Sequence, residues 1–135
     1  MRFVAIVSML VALSLSSCVL KHNPTAPSMT FKVGPAYKPD SSVVDTSATV
    51  LVGFSANRAN SNMRYLQVTK AIDTMTPVVL TAYVLLDTQL TSVNKDFSFK
   101  TGGYRTDKTE TYTFKISDEE GYTFQKSIAF IVHPH

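Results

Sequence analysis

Side chains capable of chemistry are few in this 135-residue chain, and their placement excludes more than it offers. His22, His133 and His135 are the only histidines, and none lies in the middle of the chain. A Ser-His-Asp or Cys-His nucleophile needs an imidazole buried and oriented beside it. No histidine here is placed for that work. His133-Pro134-His135 has metal-ligating types but reads as a C-terminal tail that frays. Gly102-Gly103 stands apart from any phosphate-loop pattern and reads as a turn.

The densest run of carboxylates is Asp118-Glu119-Glu120. Acidic loop tips of this kind can take part in a calcium site, with Asp40 or Asp45 as further ligands. Calcium asks for six to eight oxygens, whereas only three carboxylates are local and no D-x-D-x-D spacing occurs. The competing reading is a type I turn closed by Gly121 in the left-handed region, its acids solvated. That turn is the expectation, with no resident metal and no cofactor. Adjacent turn acids also cannot flank a sugar as a glycosidase pair must.

Tyr37, Tyr65, Tyr83 and Tyr104 would make a stacking platform for a glycan if several shared an exposed face. Strand tyrosines are more often half-buried framework with a wet hydroxyl, and the chain has no Trp. Carbohydrate or ligand binding therefore stands as the alternative role. Charge points away from nucleic acid. The formal net charge is +3, falling to +2 without Arg2, with both signs scattered. No basic stripe results.

The elements holding these residues read as strands. No window sustains a 3.6-residue period with capping signals, and the abundant Thr, Val, Tyr and Phe favour sheet. Candidate strands cover 29–33, 48–56, 63–72 and 78–86. A fifth, marked by Phe97 and Phe99, starts after Asn94-Lys95, and the last two cover 109–116 and 122–132. In 48–56, Val50, Val52 and Phe54 share a face, and in 63–72 Leu66 and Val68 point inward. Residues 77–86 are apolar on both faces and admit a strand or a short helix. Residues 34–42, rich in Gly, Pro and Ser, read as loop.

The closing pair is the clearest. Tyr112, Phe114 and Ile116 alternate with Thr111, Thr113 and Lys115, and Phe124, Ile128, Phe130 and Val132 share one face beyond the turn. This predicts a hairpin with one buried and one wet side. Thr111-Tyr-Thr-Phe-Lys-Ile-Ser-Asp-Glu-Glu-Gly-Tyr122, followed by Lys126-Ser-Ile-Ala-Phe-Ile-Val132, resembles the closing hairpin of PKD and bacterial Ig-like modules. The resemblance implies an all-β, Ig-like antiparallel sandwich of about seven strands over residues 29–133. It also implies that Tyr112 bonds the chain upstream. It implies little of function, since such sandwiches host unrelated roles.

The N-terminus sets the context. Arg2 precedes an apolar run over residues 3–15, too short for a spanning helix of about 20 residues. The run leads into Leu15-Ser16-Ser17-Cys18, which holds the chain's only cysteine. This resembles the bacterial lipobox. The resemblance implies that residues 1–17 are a cleaved signal peptide and that the Cys18 thiol takes a diacylglyceryl group. An acyl chain such as palmitate then joins the new amine. Two or three chains anchor firmly at about 0.8 kcal/mol per buried CH₂.

Residues 18–28, with Pro24 and Pro27, form the expected tether. Val19 after the cysteine, and a basic rather than acidic Lys21-His22, favour an outer-membrane anchor facing the periplasm, with the cell surface as the alternative. The expectation overall is a non-enzymatic, lipid-anchored module of the cell envelope that binds a protein partner.

Overall fold

The computed structural model describes residues 25–135. The candidate signal peptide, Cys18 and His22 lie outside the described residues. One sheet contains β1 (Ser28–Phe31), β3 (Thr49–Asn57) and β6 (Ser92–Lys100), with β3 in the middle. The other contains β2 (Ser42–Asp45), β4 (Met63–Ile72), β5 (Val78–Val84), β7 (Lys108–Asp118) and β8 (Thr123–His133), in the order β2-β8-β7-β4-β5. The two faces pack into an all-β, Ig-like sandwich, as the strand spacing predicts.

Two details differ from the predicted strands. β2 is an eighth strand and runs parallel to β8, pairing Ser42 with Phe130 and Asp45 with His133. β6 starts at Ser92, so Asn94 and Lys95 belong to it. Residues 77–86 hold the strand β5 and no helix.

Period-2 alternation builds the core. Val50, Val52, Phe54 and Ala56 of β3 face Leu66 and Val68 of β4 and Tyr112, Phe114 and Ile116 of β7, all of them buried. Phe114 is the hub. Its ring centroid lies 5.4 Å from Phe54, 5.5 Å from Phe31 and 5.6 Å from Phe97, so it ties both sheets together. Edge-to-face contacts of this kind add to the area each ring buries.

The β7–β8 hairpin turns through Glu119, Glu120 and Gly121, with Gly121 at φ +90°. A Cβ there would touch nothing, so backbone conformation is what favours glycine. Gly53 has a different reason. A Cβ on it would come within 2.5 Å of Asp96, 2.6 Å of Lys32 and 2.7 Å of Tyr37. Those three side chains latch the loop after β1 onto the outer face of its sheet, with Lys32 Nζ 2.6 Å from Asp96 Oδ1.

The chain enters at one end of the sandwich. Asn60 donates to Thr25 Oγ1, and Pro27 is already buried, so the last residues of the expected tether pack on the domain. The Glu119 amide bonds the Asn62 carbonyl, and the Met63 amide bonds that of Leu90. The β3–β4 loop, the β5–β6 connection and the acidic turn therefore gather at the entry end.

Candidate functional site

The five-stranded sheet is wider than the three-stranded one, and β5 overhangs it. Among the described residues β5 pairs only with β4, and β6 only with β3. Thr81 and Tyr83 turn inward opposite Val68 and Leu66, but no described residue covers the rest of the strand. Val78 is 65% exposed, Val79 51%, Leu80 44% and Val84 57%. This explains a run that is apolar on both faces yet not core. Leu80 is an extra residue at a bulge, because Val68 pairs with Thr81 while Thr69 pairs with Val79.

Between β5 and β6 the sandwich stays open as a groove of about 430 Å³. Leu80 and Thr81 form one wall, Phe97 and Phe99 the other, and Tyr112 is at the floor. Phe99 stacks on Tyr112 at 4.3 Å. A neighbouring recess of about 260 Å³ shares Lys70 and Leu80 with the groove and adds Ile72, Met75 and Val78.

A buried polar cluster supports the floor. Glu110 is fully buried, and Lys70 Nζ meets its Oε1 at 2.6 Å. The Tyr104 hydroxyl and the Gly102 amide donate to the same oxygen at 2.6 and 2.8 Å, and the Tyr112 hydroxyl donates to Oε2 at 2.6 Å. Burial pushes the Glu110 pKa upward, but hydrogen bonds from Lys70, Tyr104, Tyr112 and Gly102 outweigh it and hold the group below its ordinary value. Burial raises both tyrosines, and their bonds to Glu110 raise them further. All this donor capacity is spent inside the fold. It fixes the β6–β7 loop on β4 and β7 and keeps Tyr112 flat beneath the groove.

The residues singled out by sequence fall as follows. Tyr112 does bond upstream, but to the Glu110 side chain and not to backbone. Asp118 is turned inward, its Oδ1 accepting the amides of Glu120 and Tyr122 at 3.0 and 2.8 Å, while Glu119 and Glu120 are exposed. Asp45 cannot join them, because it pairs with His133 at the far end of β8. Asp40 accepts the Ala129 amide at 2.7 Å. Among the described residues no three His, Cys, Asp or Glu side chains are grouped as metal ligands.

Of the expected C-terminal tail, His133 belongs to β8, whereas Pro134 and His135 carry no regular structure. His133 ends β8, its carbonyl accepts the Thr46 amide, and its Nδ1 lies 2.7 Å from Asp107. The four tyrosines do not share a face. Tyr37 bonds Asp96, Tyr104 bonds Glu110, Tyr65 is exposed on β4, and Tyr83 turns inward under the Lys95 ammonium at 4.5 Å.

No family model and no curated protein matches the chain. Among solved structures the fold is similar to part of a β-glucosidase from Listeria innocua, seen alone and with glucose bound. Both have a TM-score of 0.44 and 6% identity, covering 77% of this chain and 16% of that one. A mutant form of the same enzyme with laminaribiose gives a TM-score of 0.42. The chain thus spans about a sixth of that enzyme's length.

Proposed function

We propose that this chain is a lipid-anchored protein of a bacterial cell envelope whose Ig-like sandwich docks a partner protein and performs no chemistry of its own. The observation carrying this reading is β5, an edge strand with four large apolar residues in solvent. An uncovered strand of that composition is a template for another chain, and strand addition is a common mode of recognition. The Leu15-Ser-Ser-Cys18 motif supports the anchor, and the membrane is then the second partner, through lipid on Cys18. An outer-membrane position facing the periplasm follows from Val19 and the basic residues after it.

A photo-crosslinking residue placed at Val79 tests the docking role in intact envelopes, with Thr113, two strands further into the same outer sheet face, as control. Adducts from position 79 and none from position 113 are expected. No adduct at 79, or equal adducts at both, contradicts the reading.

A further inference from the structure

The groove between β5 and β6 has walls, a floor and a charge, and together these define an occupant. β5 and β6 are joined through a short 3-10 turn (Asp87–Gln89) and not through another strand, which leaves the outer edge of β6 unpaired among the described residues. Phe97 and Phe99 stand on its inner side, while Ser98 and Lys100, exposed at the alternate positions, line the rim of the groove. A strand added along that edge would send every second side chain between Phe97, Phe99 and Leu80, over the ring of Tyr112. Residues Val78 to Val84 on the facing wall carry no charge.

The rim is cationic. Two lysines and no acid line the groove. Lys70 is held by Glu110, whereas Lys100 has no partner among the described residues. Lys95, further along β6, rests only on the Tyr83 ring. The nearby carboxylate of Asp96 is occupied by Lys32 on the outer face of the sheet.

The chain's own N-terminal segment meets the Lys70 and Lys100 end of this site only if it is fully extended and folded back along the sandwich. With Cys18 lipidated, residues 18–24 precede Thr25, at most about 25 Å of extended chain. Thr25 lies at the entry end, beside Asn60. Lys70 lies seven residues along β4 from Met63 and Lys100 eight along β6 from Ser92, about 23–26 Å from that end.

We infer that the groove receives an extended segment of a partner protein, apolar at alternate positions and acidic at its flanks, added as a strand along β6. This rests on the docking role proposed above and names its place and chemistry.

The probe is a fluorescent peptide, Asp-Val-Thr-Val-Thr-Val-Asp, titrated into the full chain in detergent micelles. A counterpart with Lys at both ends is titrated in parallel. Saturable binding is expected, at least tenfold weaker for the Lys-flanked peptide, with amide chemical-shift changes concentrated in β5 and β6. K100E, at an exposed position, should leave the melting temperature unchanged and narrow or invert the preference.

No saturation, or equal binding of the two peptides, overturns the proposal. Shifts confined to the β2 edge overturn the groove while leaving a docking role elsewhere. A dimer in sedimentation whose buried surface is β5 and β6 assigns the groove to a second copy and also overturns it. Crosslinking at Val79 in envelopes remains a separate readout, so failure of the peptide does not decide the broader role.

Discussion

Lys70 and Glu110 meet at 2.6 Å beneath the open side of the sandwich, with the carboxylate wholly removed from solvent and the lysine side chain 18% exposed. An ion pair in that position stabilises little relative to a well-packed apolar pair, but losing one partner strands the other. Lys70→Met should therefore cost about 3 kcal/mol, the lower end of the range for breaking a buried pair, since Lys70 keeps some water. The pH dependence has a definite sign. Glu110 titrates below its ordinary value of 4.5 when folded. Its contribution is complete above that value and is lost as pH falls through the lowered one. Urea melts of wild type and Glu110→Gln should differ most near neutrality and converge in acid. A gap that is constant or widens in acid would contradict the assignment.

Phe114 and Thr113 are neighbours with opposite environments. Phe114 is fully buried against rings of the facing sheet, and Phe114→Ala should cost about 3–5 kcal/mol. Thr113 lies on the outer face, its hydroxyl 2.7 Å from that of Ser127, and Thr113→Ala should cost under about 1 kcal/mol. Gly121→Val should cost about 1–3 kcal/mol although nothing crowds the site, because a β-branched residue resists positive φ. Chemical denaturation of the three variants checks the ranking. Equal losses at 113 and 114 would remove the half-buried strand on which the fold rests.

Much of this fold can be read from alternation alone. The parity that turns Tyr112, Phe114 and Ile116 inward also turns Glu110 and Asp118 inward, one step beyond each end of the apolar run. The same step from Leu66 and Val68 reaches Lys70. The buried pair was therefore legible as two charges on core-facing parity, though their meeting depends on the register that places Lys70 against Tyr112. β2 was not legible, because Val43 and Val44 form a strand only by pairing with β8, 88 residues later. The bareness of β5 was also hidden, since it depends on the facing sheet having three strands and not on its own sequence.

The turn acids give a metal-independent expectation. Asp118 spends one oxygen on two backbone amides, and Glu119 and Glu120 stand in solvent beside it. Melting temperatures in excess EDTA and in millimolar calcium should agree. A calcium-dependent rise of several degrees would show a ligand set that these three residues do not supply.

The anchored role rests on Cys18, and labelled palmitate tests it most directly. In growing cells the wild-type chain should incorporate label and run at the size of a protein cleaved before Cys18. Cys18→Ala should incorporate none and accumulate as uncleaved or mislocalised precursor. Equal labelling of the two, or none in either, would contradict the account.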